Sequence, residues 1–278
     1  MRVAIVGGSG LIGSYLKRRW QDEGHTIILP PREVQPSQLE DLDLLVNLAG
    51  ENIFGRWTAG KKDRILQSRV IETERVSNEL ATIKNPPKLW INASAVGYYG
   101  DRGDEVLDES SSQGNLFLST VCAAWEKAAK GSSRIIFSRF GSVITPDGGA
   151  LRKLLIPFKL GLGGPIGEGT QWMSWITLCD IKGAIDHLLE NNDIKGPVNF
   201  VAPEPVMSKT FTETLANVLN RPHFFPAPKW ALEAVMGQMA DELLLSSARV
   251  VPTKLQSSGY VFRDPTIEKA LARLLGHG

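Results

Sequence analysis

Glycines near the start of the chain form the pattern that is best suited to chemistry. Four of them fall between positions 7 and 13, after the apolar run 3–6 and before a segment of helical character at 11–23. Such a turn lets the backbone approach a diphosphate, and the start of the following helix offers free N–H groups and partial positive charge. This order predicts a dinucleotide-binding site; the alternative is a glycine-rich turn without a ligand. The residues expected to contact the nucleotide are Gly7, Gly10, Leu11, Ile12 and Gly13.

Alternating strands and helices are needed to hold this turn in place. The first half of the chain shows that alternation, which favours an α/β fold with a doubly wound parallel sheet. Only the 12 residues 30–41 separate the second and third predicted strands. We therefore expect one strand of the usual pattern to be missing, which would leave the second strand at the sheet edge; a short crossover turn at 36–41 is the alternative. The predicted strands are 3–6, 25–29, 42–48, 88–93 and 134–140, and the predicted helices are 11–23, 58–84 and 116–130.

The second half of the chain does not continue this regular alternation of strands and helices. Glycines crowd residues 161–169, a strand-like aromatic segment follows at 172–177, and a further strand is expected near 197–202. Residues 1–227 are predicted to form the nucleotide-binding domain, with a smaller, discontinuous substrate lobe mainly at 145–227. Residues 228–278 are predicted to form a small helical C-terminal domain. The helices predicted in this half are 180–191, 208–220, 228–238 and 265–275.

The end of the second predicted strand bears on the choice between the two nicotinamide cofactors. An NAD site usually has a carboxylate there, which binds the ribose 2′-hydroxyl, but this chain has Pro31 followed by Arg32. A guanidinium can bind a 2′-phosphate through two hydrogen bonds, so Arg32 favours NADP. Glu33 is the nearest acid and keeps NAD open as the less favoured cofactor. The alternative is that Arg32 is a solvated loop residue.

Arg32→Asp is expected to weaken NADPH binding by on the order of 1–3 kcal/mol, because a charge-assisted hydrogen bond to the 2′-phosphate is lost. NADH has no 2′-phosphate, so its affinity should hardly change. Calorimetric titration with both nucleotides measures the two effects. Equal losses for NADPH and NADH would remove the argument for phosphate preference.

The third predicted strand ends in Asn47-Leu48-Ala49-Gly50, where small residues would let the backbone lie against the adenosine part of a nucleotide. Leu48, Ala49 and Gly50 are therefore candidate cofactor contacts. Tight packing without a ligand is the alternative.

Several segments together resemble a known family, the extended short-chain dehydrogenases/reductases. The resemblance is closer to their atypical "epimerase family" branch with a small C-terminal domain, and it covers essentially the whole chain. It implies a Rossmann fold with NADP as the expected cofactor. The segments that carry it are the Gly-x-x-Gly-x-x-Gly turn, Asn47-Leu48-Ala49-Gly50-Glu51, Ser68-Arg69, residues 95–100, residues 157–167 and Trp175-Ile176.

The catalytic pair of that superfamily is absent from this sequence. Short-chain dehydrogenases place Tyr-x-x-x-Lys on one helix, where the lysine lowers the tyrosine pKa and holds the nicotinamide ribose. None of the four tyrosines here is followed by lysine four residues later, and counting back from Glu126 puts Leu118 and Cys122 at the two positions. The usual proton-transfer mechanism therefore does not carry over.

Other residues at equivalent places could still support chemistry. The resemblance puts the family's catalytic hydroxyl at Ser94, after strand 88–93, and Tyr98 lies just beyond as a substitute acid. Arg69 on the long helix is suited to a phosphate or a substrate carboxylate, and Val143 follows the strand that would pass beneath the nicotinamide. The alternatives are a packing role for Ser94, an aromatic lid for Tyr98 and an exposed helix charge for Arg69.

Composition limits the partners that this chain could have. It is 42% hydrophobic and 22% charged with a net charge of +1, which removes the electrostatic argument for nucleic acid or anionic membranes. No apolar run approaches the ~20 residues of a membrane span, and the first strand leaves no room for a leader. Cys122 and Cys179 read as reduced thiols, and the histidines form no metal-ligand pattern. We expect a cytoplasmic monomer or homodimer without a metal.

Two functions are compatible with this sequence. The first is an NADP-dependent oxidoreductase or epimerase-like enzyme that acts on an unidentified small molecule, with Ser94 polarising the reacting carbonyl or alcohol. The second is a non-catalytic NADP-binding sensor or scaffold, which the missing Tyr–Lys pair favours. Turnover of NADPH against a panel of small molecules would separate the two.

Overall fold

The computed structural model describes residues 1–31, 34–131 and 133–276 of the chain. Its strands are β1 (Arg2–Val6), β2 (Thr26–Ile28), β3 (Leu44–Asn47), β4 (Leu89–Ala95), β5 (Val106–Leu107), β6 (Arg134–Phe140), β7 (Ser142–Ile144), β8 (Trp172–Met173), β9 (Trp175–Thr177), β10 (Gly196–Phe200), β11 (Val206–Met207) and β12 (Arg249–Val250). Its helices are α1 (Leu11–Asp22), α2 (Ala59–Leu80), α3 (Phe117–Ala128), α4 (Gly149–Lys159), α5 (Leu178–Glu190), α6 (Ser208–Leu219), α7 (Lys229–Met236), α8 (Gln238–Ala240), α9 (Thr253–Ser257) and α10 (Ile267–Leu275).

A six-stranded parallel sheet in the order β2-β1-β3-β4-β6-β10 forms the centre of the molecule. Successive residues of its strands point to opposite faces, and both faces are apolar. In β1, Val3 and Ile5 belong to one core while Ala4 and Val6 belong to the other. This confirms the predicted α/β, Rossmann-type doubly wound sheet, because strands that are buried on both faces need helices on both sides.

The predicted gap in the strand order is also confirmed. The described residues between β2 and β3 contain one short 3-10 turn, Pro36–Gln38, and no strand. Strand β2 therefore pairs with β1 alone and lies at the edge of the sheet.

Two predicted elements differ from the structure by more than one or two residues at an end. Helix α2 starts after its predicted cap, Thr58, but it ends at Leu80 rather than near residue 84. Its last turn tightens, as the amides of Ala81 and Thr82 bond to the carbonyls of Asn78 and Glu79.

The single strand predicted at 172–177 is two strands in the structure. Trp172–Met173 pairs antiparallel with β11, whereas Trp175–Thr177 pairs parallel with β7. Ser174 lies between them, and its carbonyl accepts a hydrogen bond from the Ser142 amide at 2.8 Å.

The C-terminal region packs closely onto the rest of the molecule. It begins with α7 and is largely helical, but it also contains β12, which pairs with β5. Near the end of the chain, Asp264 accepts hydrogen bonds from Arg273 and, at 2.8 Å, from the Thr177 hydroxyl, which joins α10 to the start of α5. None of the helices in the described part of the chain is both long and apolar enough to cross a bilayer.

Candidate functional site

The glycine turn is tight because its neighbours leave no room for a side chain. Gly7 has a φ of +83°, and a Cβ there would lie 2.9 Å from the carbonyl carbon of Leu48. A Cβ on Gly13 would lie 2.6 Å from the Gly7 carbonyl oxygen. The missing side chains thus bring the turn against the end of β3 and against α1.

The first turn of α1 has backbone amides available for a ligand. Gly10 occupies the N-cap without a side-chain hydrogen bond, and the first bond within the helix is from the Ser14 amide to the Gly10 carbonyl, at 2.8 Å. The amides of Leu11, Ile12 and Gly13 precede that bond and have no partner inside the helix. This cradle fits a diphosphate, since the amides and the helix dipole both favour negative charge.

The end of β3 is fixed by a buried asparagine. The Asn47 side-chain amide donates to Thr73 Oγ1 at 3.0 Å and to Asn92 Oδ1 at 2.9 Å. Its carbonyl oxygen accepts from the Ala49 amide at 3.2 Å. Leu48 and Ala49 are therefore held in place beside Gly7.

A second segment reaches the glycine turn from the carboxyl side of β7. A Cβ on Gly148 would lie 2.8 Å from Leu11 Cδ1, and a Cβ on Gly149 would lie 3.5 Å from Leu11 Cδ2 and 3.6 Å from the Val143 carbonyl oxygen. Val143 thus lies near the start of α1.

Arg69 lies between the end of β3 and helix α3. Its Nη1 donates to the carbonyls of Ile65 at 2.9 Å and Glu51 at 3.2 Å, and its guanidinium carbon is 5.0 Å from the centre of the Trp125 ring. A Cβ on Gly50 would lie 3.1 Å from that carbon, so a glycine at this position makes room for the guanidinium. Burial lowers the pKa of Arg69.

Ser94 is part of a buried charged network. Its hydroxyl donates to Glu126 Oε1 at 2.7 Å, and the same carboxylate accepts two hydrogen bonds from Arg139, at 2.8 and 2.9 Å. The side chain of Arg139 is 3% exposed and that of Glu126 is 11% exposed. The pair is thus shielded from water, and the Ser94 proton points to Glu126.

Two tyrosines extend this network. Arg139 Nη1 donates to the Tyr99 hydroxyl at 3.0 Å, which in turn donates to Asn199 Oδ1 at 2.7 Å. Burial raises the pKa of Tyr99 to about 12. The Tyr98 ring lies 3.5 Å from the Arg139 guanidinium carbon, measured to the ring centre. Tyr98 as a substitute acid stays a prediction, and the structure gives its ring this cationic neighbour.

Leu118 and Cys122 lie on one face of α3, where the superfamily would have its Tyr–Lys pair. A Cβ on Gly97 would lie 3.2 Å from Leu118 Cβ and 3.9 Å from the Cys122 Sγ. Burial raises the pKa of the Cys122 thiol to about 11. Neither side chain is charged at neutral pH, so neither replaces the lysine.

This environment should make the Cys122 thiol slow to react with alkylating reagents. At pH 8 iodoacetamide should alkylate it on the order of 100-fold more slowly than free cysteine, because far less of it is thiolate. Peptide-resolved mass spectrometry over time measures the rate, and a sample unfolded in urea provides the unprotected reference. A native rate within a few-fold of that reference would contradict the buried, neutral thiol.

A cavity of about 310 Å³ adjoins these residues at the carboxyl ends of β4 and β6. Arg69 and Cys122 are on its wall, together with Ala150, which directly follows the segment that touches Leu11. Ala150 therefore links the cavity wall to the segment that contacts the start of α1, although the residues of the glycine turn are not themselves among the described lining residues. Tyr98 is not among the described residues that line the cavity.

The structure brings some of the residues predicted from the sequence together and not others. Gly7, Leu48 and Ala49 are in mutual contact, and Leu11 and Val143 meet around Gly149. Ser94 lies in the network with Glu126, beside the cavity rather than on its wall. Arg32, the predicted phosphate contact, lies outside the described residues. The ligand roles of all these residues stay predictions.

Sequence reasoning missed the Ser94–Glu126–Arg139 network. The available signal was Arg139 itself, a charged residue within the otherwise largely apolar run of β6. A charge on a buried strand requires a partner, but the sequence does not say that Glu126 on α3 provides it.

Comparisons with known proteins agree with this arrangement. A model described as the NAD dependent epimerase/dehydratase family matches residues 3–201, and one described as a domain of unknown function (DUF1731) matches residues 227–274. The epimerase family protein Mb2239 from Mycobacterium bovis is 38% identical over an alignment that covers 97% of this chain and 96% of that protein.

Two solved structures are similar over nearly the whole of this chain. Human epimerase family protein SDR39U1 (isoform 2), crystallised with NADPH, has a TM-score of 0.94 and 33% identity and covers 100% of both chains. The nucleoside-diphosphate sugar epimerase from Corynebacterium glutamicum has a TM-score of 0.82 and 33% identity, with coverage of 99% of this chain and 58% of that one.

Proposed function

Because the chain belongs to the NAD dependent epimerase/dehydratase family, we propose that it is an NADP(H)-dependent oxidoreductase or epimerase-like enzyme acting on a small molecule. The observation that carries this proposal is the glycine turn together with a neighbouring cavity at the carboxyl ends of β4 and β6. In doubly wound sheets, ligands bind in the crevice at those ends. When bound, the cofactor would supply or accept the hydride.

The choice of NADP(H) over NAD(H) has two supports. The human SDR39U1 structure contains NADPH, and Arg32 follows the edge strand β2 where a 2′-phosphate would need a cation. The amides of Leu11, Ile12 and Gly13 would hold the diphosphate, and Leu48, Ala49 and Gly50 would border the adenosine. Val143 would border the nicotinamide.

Ser94 is proposed to bind the reacting oxygen of the substrate. Its hydroxyl now donates to Glu126, so donation to a substrate oxygen requires that the hydroxyl rotate away from that carboxylate. Arg139 keeps Glu126 in place through two hydrogen bonds, which in turn positions Ser94. The apolar wall around Cys122 and Trp125 would exclude water from the reacting atoms.

A second candidate function is a non-catalytic NADP(H) sensor or scaffold. Two observations favour it: the Tyr–Lys positions hold Leu118 and Cys122, and the Ser94 proton is engaged by Glu126. Such a protein would keep the nucleotide site and lack turnover.

Nucleotide titration and a substrate panel separate the two candidates. We expect NADPH to bind at micromolar concentrations or tighter, and to be consumed with at least one aldehyde or ketone. In the enzyme, Ser94→Ala should lower kcat with that substrate by about 100-fold, the scale for removal of one positioned donor, while NADPH affinity is kept. Tight NADPH binding with no turnover of any panel member would favour the sensor, and no NADPH binding would refute both candidates.

A further inference from the structure

The wall of the cavity is made almost entirely of hydrocarbon. Helices α3, α4 and α6, strand β8 and the π-helical turn Asp241–Leu245 each contribute apolar side chains to it. These include Val121, Trp125, Leu154, Met173, Phe211 and Leu243. At about 310 Å³ the cavity lies near the small end of the range for ligand pockets.

The polar side chains on this wall are mostly bonded to the protein already. Gln171 donates its amide to the carbonyls of Ile166 and Leu244, and the Ser174 hydroxyl donates to the Ala248 carbonyl at 2.7 Å. Glu242 accepts from the amides of Phe117 and Leu118. These groups are not free to bind the many hydroxyls of a sugar.

Three polar groups of the described wall remain for a ligand. Arg69 is the one cation among the described lining residues, and the hydroxyls of Ser142 and Ser208 accompany it. Arg69 uses Nη1 for its two carbonyl contacts, which leaves other N–H groups of the guanidinium for an acceptor. A nucleotide sugar carries two phosphate charges and several hydroxyls, so one guanidinium and two serines would leave most of its polar groups unpaired in hydrocarbon.

We propose that the substrate is a predominantly apolar carbonyl compound, or the corresponding alcohol, with at most one negative charge, and that it does not carry a nucleotide. The apolar body would fill the cavity, the carbonyl oxygen would face Ser94 beside the cavity, and an anionic group, in substrates that carry one, would meet Arg69. The reaction in this inference rests on the proposed function. The preference for apolar ligands depends only on the residues that line the cavity. In reduction, the hydride of NADPH would add to the carbonyl carbon as the C=O π bond breaks, and the oxygen would take one proton from water, which leaves NADP⁺. An alcohol would be oxidised by the reverse step, with NADP⁺ as the hydride acceptor.

The preference of the cavity for apolar ligands is tested with 8-anilinonaphthalene-1-sulfonate, an apolar probe with a single negative charge. We expect its fluorescence to rise on binding the native protein and expect no displacement by UDP-glucose. Leu154→Trp places an indole in the cavity and should weaken probe binding at least about tenfold, because the apolar contact area is removed. Arg152→Trp puts the same indole on the exposed side of α4 and is the matched control.

Three results would overturn the inference: displacement of the probe by UDP-glucose, tighter binding of UDP-glucose than of the probe, or equal probe binding by wild type and Leu154→Trp. Circular dichroism checks that each variant folds. If Leu154→Trp does not fold, Val121→Phe narrows the same cavity from the opposite helix, α3.

The reaction part is tested by NADPH consumption with octanal and acetophenone, and by assay of UDP-glucose for epimerisation or oxidation. Turnover of the apolar carbonyls, with the loss of it in Leu154→Trp, supports both the proposed function and the substrate class. Turnover of UDP-glucose alone overturns the substrate class and leaves the proposed function standing. Probe binding in the cavity without any turnover counts against the proposed function, while the apolar preference of the cavity stands.

Discussion

Arg139→Leu is expected to lower the free energy of unfolding by about 3–5 kcal/mol, since it leaves the Glu126 carboxylate buried without its cation. Both side chains are nearly inaccessible to water, at 3% and 11% exposure. Arg139 also donates to the Tyr99 hydroxyl, which would lose that donor. Urea unfolding followed by circular dichroism measures the loss.

A second variant tests whether the unpaired charge causes the effect. Arg139→Leu combined with Glu126→Gln removes both charges and should recover part of the lost free energy, because no carboxylate is then stranded. A single variant that loses less than about 1 kcal/mol, as for a surface ion pair, would contradict this account.

Leu11→Pro is expected to weaken NADPH binding about 10- to 100-fold relative to Leu11→Ala, because one amide donor to a charged diphosphate is removed. Proline is tolerated at the first position of a helix, where the N–H has no partner in the helix. The preceding Gly10 has φ −72° and ψ 174°, an extended conformation that suits a residue before proline. The substitution therefore removes a donor and leaves α1 intact.

Leu11→Ala is the matched variant because it keeps the amide and removes the side chain that contacts Gly148. Comparing the two variants isolates the amide from the side chain. Fluorescence titration with NADPH measures both affinities, and thermal unfolding checks both folds. Equal affinities for the two variants would mean that this amide does not bind the diphosphate.

Much of the central sheet could be predicted because its signals are local. An apolar run, the glycines and a helical pattern follow one another within the first 23 residues, and the chain length between β2 and β3 shows that a strand is missing. The close contact of Gly7 with Leu48 also follows from this pattern, since the ends of neighbouring parallel strands meet at one edge.

The second half could not be predicted as well because its structure depends on distant partners. Helix α4 was not predicted: Leu151, Leu155 and Phe158 recur at helical spacing, but Pro157 near its end argues against a helix. Strand β12 is two residues long and exists through its pairing with β5, more than 140 residues earlier. The ion-pair partner of Arg139 could not be predicted either, because no sequence pattern indicates that β6 pairs a charge with Glu126 on α3.

Glu242 connects the two regions that the family models match, residues 3–201 and 227–274. Helix α3 begins at Phe117, and its N-cap residue, Leu116, provides no side-chain hydrogen bond. The Glu242 carboxylate accepts hydrogen bonds from the amides of Phe117 and Leu118, at 3.2 and 2.9 Å. The C-terminal region thus caps a helix of the nucleotide-binding fold, and Glu242 also lines the cavity. The two family regions are therefore separate in sequence, but residues from both stabilise the start of α3 and line the cavity.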